Sequence, residues 1–296
     1  MSAAVAELLA ILDLEQIALD RFRGQSPQAA RKRVFGGQIV AQALVAASRT
    51  VSAWTPHSLH GYFLLPGDPA TPIDYEVERL RDGASFAARR CAAIQNGRTI
   101  FTVTCSFQAQ EEGLDHALPM PDAPDPDTLM SQTQMVGAFA HMMPNAMQRY
   151  FVQERPIDLR PVDLSRYYPN ASRGPLSSHQ NIWMRAAARL PDDPAVHRAV
   201  LAYLSDMTLL DTALVRHQRS VFDEDIQGAS LDHALWFHRP FRADEWLLYA
   251  QESPNASGGR GLARGSLFSR DGRLVASVMQ EGLLRLRADK PARQVG

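Results

Sequence analysis

Two polar side chains stand where the surrounding pattern predicts apolar ones. Asp206 lies in YLSDMTLLDTALVRH, residues 203–217, whose spacing predicts one helix with a core-facing side. Its neighbours three and four positions away are alanine, tyrosine and two leucines. Gln280 lies in a strand-like run and shares its face with apolar residues at period two. A buried unpaired carboxylate costs several kcal/mol or shifts its pKa, so Asp206 needs a partner or a chemical role.

Hydrolytic chemistry can use both groups. Partial desolvation raises the pKa of a carboxylate from about 3.9 toward the working range of a general base. A side-chain amide offers N–H donors and a carbonyl acceptor, which can orient a water molecule. A structural alternative stands beside each role, namely a hydrogen-bonded carboxylate and an amide paired with a loop carbonyl. Asp211 has similar apolar neighbours, so the residues alone do not separate it from Asp206.

The composition excludes several classes of protein. The chain has 296 residues, 45% of them hydrophobic, enough for one large core or two medium ones. Its 31 basic and 32 acidic residues argue against a nucleic-acid-binding protein. Two cysteines, Cys91 and Cys105, indicate a reducing compartment without disulfides. The N-terminus lacks the basic region of a signal peptide, and no apolar run reaches the roughly 18 residues of a membrane helix. We therefore predict a cytoplasmic protein without stable membrane insertion.

One pattern occurs twice along the chain. SLHGYFL is followed 172 positions later by SLDHALWFH, and PIDYEVERLRDG is followed 174 positions later by EWLLYAQESPN. NGRTIFTVTCSFQ corresponds to DGRLVASVMQEGL at an offset of 175. Self-similarity at a nearly constant offset indicates two copies of one structural unit.

Each copy contains the signals of a hairpin and a buried helix. Asn-Gly and Asp-Gly predict two-residue turns between strands in residues 85–108 and 259–287. The helix predicted over 36–51 is apolar or small on nearly all sides, so it is buried. These elements predict an α+β double hotdog fold, in which two antiparallel sheets each wrap a central helix.

The predicted domain boundaries follow the repeat. We expect an N-terminal hotdog over 1–110 and a C-terminal hotdog over 151–296. Residues 111–150 form the connection: the first part, 111–129, has four prolines and reads as a linker, and 130–150 has the pattern of a short methionine-rich helix.

Several motifs in the same order resemble the acyl-CoA thioesterase II family. They are RVFGGQIVAQAL, HSLHGYFLLPGDP, AYLSDMTLL, SLDHALWFHRPF, DEWLLYAQES and VASVMQEGLLR, and the resemblance extends from about residue 8 to 287. It implies a double hotdog and the hydrolysis of fatty acyl-CoA to free acid and coenzyme A. It also implies a catalytic set of Asp206 as base, with Ser230 and Gln280 holding the water. No metal site and no redox cofactor are implied.

The two copies differ at these positions. The helix over 36–51 contains no acidic residue, and Gln280 corresponds to Cys105 in the first copy. We therefore expect one catalytic site per chain. In the hotdog dimers that the chain resembles, a carboxylate faces the N-terminus of the other helix, so amides near Gly36 and Gly37 are candidate oxyanion donors. The alternative is that these glycines permit tight packing.

Two other groups of residues could form a binding or catalytic site. Arg260 and Arg264 are candidates for binding the phosphates of coenzyme A, the alternative being solvated arginines on a strand. Their segment, GGRGLARG, lacks the third glycine of a dinucleotide-binding motif. His233 lies beside Asp232 and near Ser230, but adjacent strand residues such as Asp232 and His233 point to opposite faces, so we disfavour a serine–histidine–aspartate triad.

The expected partner is the substrate acyl-CoA, and we expect a homo-oligomer. Two alternatives to a thioesterase remain at this point. One is a hotdog enoyl-CoA hydratase, which needs an aspartate and a histidine placed across the acyl chain. The other is an acyl-CoA-binding module without turnover.

Overall fold

The computed structural model describes residues 2–27, 33–139, 141, 154–164 and 177–287. The first half contains two helices and six strands: α1 (Ala3–Leu12), β1 (Glu15–Ala18), β2 (Arg21–Gly24), α2 (Gly36–Ser48), β3 (Thr55–Phe63), β4 (Ile73–Asp82), β5 (Phe86–Gln95) and β6 (Arg98–Gln108). The connection contains a 3-10 turn (Pro126–Thr128) and α3 (Gln132–Phe139). The second half contains β7 (Ile157–Pro161), β8 (His179–Ala186), α4 (Pro194–Ser205), α5 (Thr212–Val215), β9 (Ile226–Ser230), β10 (Asp232–Phe237), β11 (Leu247–Ser257), β12 (Arg260–Ser269) and β13 (Leu274–Leu286).

The strands of the two halves form antiparallel sheets that meet edge to edge. The order is β1-β2-β4-β5-β6-β3 in the first half and β10-β13-β12-β11-β8-β7 in the second, with β9 paired to β13. The junction is the antiparallel pair β3–β10, where Leu59 lies opposite Leu235. Both leucines are fully buried, so the core is continuous across the junction.

Both predicted hairpins are present. Gln95 pairs with Arg98 across Asn96 and Gly97, whose φ angles of 50° and 72° are those of a primed turn. Asn and Gly tolerate this left-handed conformation, which matches the strand twist. The second hairpin has a longer turn than predicted, because its closing hydrogen bond runs from Ser269 N to Arg273 O.

Two central helices pack against each other and against the sheet. α2 is buried on most sides, as predicted, and contacts β3, β4, β5 and β6 as well as α4. The side-chain amide of its Gln42 is hydrogen-bonded inside the core: Gln42 donates to Ile11 O at 2.6 Å and accepts from Tyr75 Oη at 2.7 Å. The N-terminus of α2 lies against the C-terminus of α4, since a Cβ added to Gly37 would be 2.3 Å from Tyr203 O.

The single helix predicted over 203–217 is wrong. α4 ends one residue before Asp206, which is its C-cap, and a turn leads to the short helix α5. Thr208 accepts from Gln251 Nε2 at 2.5 Å, and Thr212 donates to Gln251 Oε1 at 2.7 Å. Because these bonds tie the turn to β11, tertiary contacts outweigh the helical pattern of the segment.

The connection between the halves lies against the second half. Residues 109–125 contain no helix and no strand. Trp183 Nε1 donates to Pro124 O at 2.9 Å, and Arg270 binds the carboxylate of Asp125 at 2.6 Å. The proline-rich segment is thus held on the sheet surface by specific bonds rather than by secondary structure.

α3 falls within the methionine-rich segment for which a helix was expected. Its Met135 and Phe139 are buried, whereas residues 142–150 of that segment lie outside the described ones. The division into two domains and a linker stays a prediction. No helix in the described part of the chain combines the length and apolar composition that crossing a bilayer requires.

Candidate active site

Asp206 lies at the junction of the two central helices. As the C-cap of α4 it follows the last helical residue, and its side chain is 6% exposed. The unpaired carbonyl groups at a helix C-terminus repel an anion, so this position disfavours the ionised carboxylate. The N-terminus of α2 faces it from the other side and has the opposite polarity.

The structure brings Asp206, Ser230 and Gln280 together. Gln280 Nε2 donates to Asp206 Oδ1 at 2.5 Å and lies 3.1 Å from Ser230 Oγ. Ser230 Oγ donates to the same carboxylate oxygen at 3.4 Å. β13 supplies the amide and β9 supplies the hydroxyl, and Ser230 pairs with Gly282, two residues beyond Gln280. Three separate elements therefore converge on one carboxylate.

The protonation of Asp206 is set by two opposing effects. Burial raises the pKa of its carboxyl to about 6, and hydrogen bonds from Gln280, the Gly37 amide and Ser230 lower the pKa and so limit this rise. A carboxylate with this pKa is mostly ionised at neutral pH and is a stronger base than an exposed aspartate.

The carbonyl of Gln280 has no protein partner among the described residues. Gln280 is fully buried, and its Oε1 has no hydrogen-bond partner among the residues that the structure describes. A buried acceptor without a partner is costly unless water or a ligand satisfies it. Since the amide nitrogen faces the carboxylate, the free oxygen can accept a hydrogen bond from a water beside Asp206.

Gly36 and Gly37 allow α2 to approach this carboxylate. A Cβ added to Gly36 would lie 2.6 Å from Asp206 Oδ2, closer than van der Waals contact permits. The Gly37 amide donates to the carboxylate. Phe35, at the N-cap, supplies no side-chain hydrogen bond, and the first amides of a helix have no intrahelical acceptor. The packing and electrostatic readings of these glycines are thus both compatible with the geometry.

His233 belongs to the same cluster and was missed by the sequence interpretation. Its Nδ1 lies 3.3 Å from Gln280 Nε2, and its Nε2 lies 2.9 Å from Ser205 Oγ. It takes no part in a triad, because Asp232 accepts from the backbone amide of Glu281 instead. The pairing with β13 shifts by one residue between β9 and β10, from Ser230 opposite Gly282 to Ala234 opposite Met279, so Ser230 and His233 both turn toward Gln280. Alternation does separate Asp232 from His233 within β10, but it does not separate His233 from Ser230, which lies on another strand.

Known proteins resemble the chain over nearly its whole length. A family model described as "Acyl-CoA thioesterase" matches residues 147–283, and one described as "Acyl-CoA thioesterase N-terminal domain" matches residues 25–108. Acyl-CoA thioesterase 2 of Haemophilus influenzae is 41% identical over 287 residues, which cover 96% of this chain and 99% of that protein. This chain belongs to the acyl-CoA thioesterase II family. The resemblance that its motifs suggested is confirmed.

Solved structures confirm the fold of this thioesterase family member. The crystal structure of an acyl-CoA thioesterase II, TesB2, from Mycobacterium marinum has a TM-score of 0.78 and 44% identity, covering 96% of this chain and all of that one. A protein of unknown function with a hot dog fold from Alicyclobacillus acidocaldarius has a TM-score of 0.77 at 20% identity and covers 95% of the chain. The predicted double hotdog is therefore confirmed.

Arg260 and Arg264 are not brought to the Asp206 cluster of this thioesterase. Both lie on the outer face of β12, whereas Ala263, opposite Gln280, faces the core. Arg260 Nε pairs with Glu281 at 3.0 Å, and Arg264 Nε pairs with Glu252 at 2.6 Å. Their role in binding coenzyme A phosphates stays a prediction, and these ion pairs account for both guanidinium groups without a ligand.

The corresponding place in the first half is filled by an arginine. Arg89 lies opposite Cys105 as Ala263 lies opposite Gln280. Its side chain is 1% exposed, and it donates to Thr50 Oγ1 at 2.8 Å and to Asp82 Oδ1 at 2.6 Å. The space that holds polar reacting groups in the second half is therefore closed in the first.

A pocket lies near the N-terminus of α2, lined there by Phe35 and Gln38. Its apolar wall includes Leu8, Phe35, Tyr203 and Met207, and charged residues such as Glu7 line it as well. Phe35 and Met207 are the chain neighbours of Gly36 and Asp206, whereas Asp206 itself is not among the lining residues. An apolar wall with a few polar groups is typical of a small-molecule site.

Proposed function

We propose that this chain hydrolyses acyl-CoA thioesters, including fatty acyl-CoA, to a free acid and coenzyme A with a water molecule that Asp206 deprotonates. The observation that carries the proposal is the buried carboxylate with a raised pKa, held by Gln280 and Ser230 beside an unpartnered amide oxygen. A base of this kind contributes roughly a hundred- to ten-thousandfold to a rate.

The reaction follows from the directions of these hydrogen bonds. The water donates one proton to Asp206 and the other to Gln280 Oε1, which fixes its lone pair toward the acyl carbon. As the oxygen attacks, its proton passes to Asp206, and the carbonyl oxygen becomes an oxyanion. Collapse of this intermediate breaks the carbon–sulfur bond. The leaving thiolate then takes the proton from Asp206, which returns to the ionised state.

The N-terminus of α2 is our candidate for stabilising the oxyanion. Helix N-termini carry partial positive charge and unpaired amides. The amides of Gly36 and Gly37 lie at this end, and the Gly37 amide already donates to Asp206. Preorganised donors of this type are worth roughly a hundred- to a thousandfold in rate.

The pocket near the N-terminus of α2 is our candidate for the acyl chain. Met207 is part of the apolar wall and follows Asp206 in the chain, so a larger side chain there narrows the pocket. In Met207→Trp we expect the kcat/KM for palmitoyl-CoA to fall more than that for butanoyl-CoA. An equal fall for both substrates contradicts this placement.

The decisive experiment measures release of free thiol from palmitoyl-CoA by wild type and by Asp206→Asn. The asparagine keeps the size and one acceptor but cannot take a proton, so we expect a loss of roughly a hundredfold or more. Asp211→Asn is the matched control, because Asp211 lies five positions on and accepts from Val221 N outside the cluster at 2.9 Å. Equal rates for wild type and Asp206→Asn would refute the proposed base.

The same assay separates the two alternatives. A hydratase consumes enoyl-CoA without releasing thiol, and a binding module retains acyl-CoA without either reaction. His233 is the histidine nearest to Asp206, at 4.0 Å, but it is fully buried and both of its ring nitrogens face protein groups. This arrangement favours hydrolysis over hydration.

Assembly and location are further proposals. We expect a homo-oligomer, which is supported by Tyr62 and Met279 on the outer sheet face, 60% and 36% exposed. Sedimentation analysis tests it, and a single monomeric species contradicts it. A cytoplasmic location is supported by the free, buried thiols of Cys91 and Cys105. Cell fractionation tests that location.

A further inference from the structure

His233 is a buried histidine for which hydrolysis as described has no use. It lies on β10, and its side chain is fully buried. Both ring nitrogens have a partner: Gln280 Nε2 at Nδ1 and Ser205 Oγ at Nε2. Ser205 is also fully buried. The ring therefore links the amide of the candidate site to the last turn of α4.

The hydrogen-bond partners of the His233 ring determine which of its nitrogens carries the proton. Gln280 Nε2 carries two protons: one is donated to Asp206, and the other lies between Ser230 Oγ at 3.1 Å and His233 Nδ1 at 3.3 Å. Since this nitrogen can only donate, its contact with the ring requires His233 Nδ1 to be the acceptor. The ring proton is then on Nε2 and is donated to Ser205 Oγ at 2.9 Å. The hydroxyl of Ser205 in turn donates to Ala202 O at 2.9 Å. Every donor has an acceptor in this direction, and the chain ends on a backbone carbonyl that cannot reverse its role.

The opposite orientation of the amide breaks this chain. If Gln280 were rotated, its Oε1 would face the ionised Asp206 carboxylate at the place where Nε2 now donates at 2.5 Å. Two acceptors at that separation repel each other. The water would then meet the Gln280 N–H group instead of Oε1. An N–H group donates to the water oxygen, so it cannot hold the water with its lone pair toward an acyl carbon.

We propose that His233 is a positioning residue for hydrolysis: as the Nε2–H tautomer it holds the Gln280 amide with Nε2 toward Asp206 and Oε1 toward the water. The inference rests on the roles proposed above for Asp206 and Gln280. The sequence signal is the histidine of SLDH, three residues after Ser230.

The surroundings of the ring keep it neutral. Burial lowers the pKa of His233 to about 4, so the imidazole remains uncharged at neutral pH. A charged ring carries a proton on Nδ1 and cannot accept from Gln280. The Asp206 carboxylate lies 4.0 Å from His233 Nδ1. Both groups contact the Gln280 amide nitrogen, and they do not form an ion pair with each other.

The first test is the tautomer itself, which does not depend on activity. Histidine-labelled protein is measured by long-range proton–nitrogen NMR at neutral pH, and the His233 signals are assigned by their absence in His233→Asn. We expect the neutral ring with its proton on Nε2. A proton on Nδ1, or a charged ring, overturns the proposal.

The second test compares kinetics of His233→Phe and His233→Asn with wild type. Phenylalanine removes both nitrogens, and we expect kcat to fall by roughly ten- to a hundredfold, the usual effect of losing an outer partner of a site residue, with KM for palmitoyl-CoA unchanged. The acid limb of kcat/KM should move to higher pH, because an unheld amide donates less to Asp206. Asparagine offers an acceptor near Nδ1 and should restore most of kcat.

A matched control separates positioning from general stability. His197→Phe removes another buried histidine, one on α4 whose Nδ1 accepts from Ala243 N at 3.0 Å. We expect this variant to lose stability without a shift of the acid limb. A folded His233→Phe with wild-type kcat and pH profile overturns the proposal.

Two further variants cover the remaining outcomes. If His233→Phe does not fold, Ser205→Ala decides the matter: loss of the acceptor for Nε2–H should release the tautomer and shift the acid limb, and an unchanged tautomer and limb overturn the proposal. Asp206→Asn distinguishes the two levels of inference. If it keeps wild-type thiol release, the proposed base fails and this inference with it. If it loses activity while His233→Phe does not, this inference alone fails.

Discussion

Replacing Asp206 by asparagine should stabilise the fold while it removes activity. Burial raises the pKa of this carboxyl from 3.8 to about 6, and one pKa unit corresponds to about 1.36 kcal/mol. Above pH 6 the Asp206 carboxylate is ionised in both states. Its charge is buried in the folded protein and solvated in the unfolded chain, so ionisation lowers the free energy of unfolding. This penalty amounts to about 3 kcal/mol at pH 8.

The sign of the pH dependence follows from proton binding. Between pH 3.8 and about 6 the folded state binds more protons at this site than the unfolded state, so the stability from this group falls as pH rises through that window. Asparagine does not titrate. The gain in unfolding free energy of Asp206→Asn over wild type should thus be about 3 kcal/mol at pH 8 and about 1 kcal/mol at pH 4.5.

Denaturant titration at the two pH values measures this difference. Asp211→Asn, studied in parallel, corrects for the removal of one negative charge elsewhere on the same turn. The reasoning is refuted if Asp206→Asn is less stable than wild type at pH 8, or if its gain is the same at both pH values. Either result means that the hydrogen bonds to the Asp206 carboxylate offset the free-energy cost of burying its charge.

Three other predictions concern the site and its counterpart. The kcat/KM of wild type should fall about tenfold per pH unit below pH 6, because protonated Asp206 cannot accept a proton; a flat profile down to pH 5 contradicts this. Gly37→Pro and Gly37→Ala both place a Cβ 2.3 Å from Tyr203 O, but only proline removes the amide, so proline should be the slower by at least tenfold; equal turnover rejects the oxyanion role. Arg89→Leu should lower the unfolding free energy by about 2–4 kcal/mol with unchanged thiol release per folded molecule, measured by denaturant titration and the thiol assay.

Much of the fold could be predicted because it depends on local signals. Asn96 and Gly97 adopt the positive φ angles that their residue types favour, and alternation identifies the strands around them. The two copies also support each other, since a pattern repeated at a constant offset is hard to produce by chance. The boundary of α4 could not be predicted, because the bonds of Thr208 and Thr212 to Gln251 come from a strand about 40 residues away.

The candidate site was predicted in part. Asp206 and Gln280 attract notice as polar residues in apolar patterns, but the residues alone left Asp206 and Asp211 equivalent. Tertiary structure separates them: one carboxylate meets the amide of β13, and the other accepts from a loop backbone amide. His233 was missed as a member of the cluster because the register shift between β9 and β10 has no clear sequence signal.

The sequence by itself determined the double hotdog, the family and the identity of the polar groups, because hydrophobic periodicity, turn residues and repeated motifs are properties of the chain alone. Tertiary structure decided which of those groups meet. The raised pKa of Asp206 and the free oxygen of Gln280 arise where a helix end and two strands from distant segments exclude water around one carboxylate. Burial and hydrogen-bond direction are properties of that assembled environment, so no segment carries them on its own.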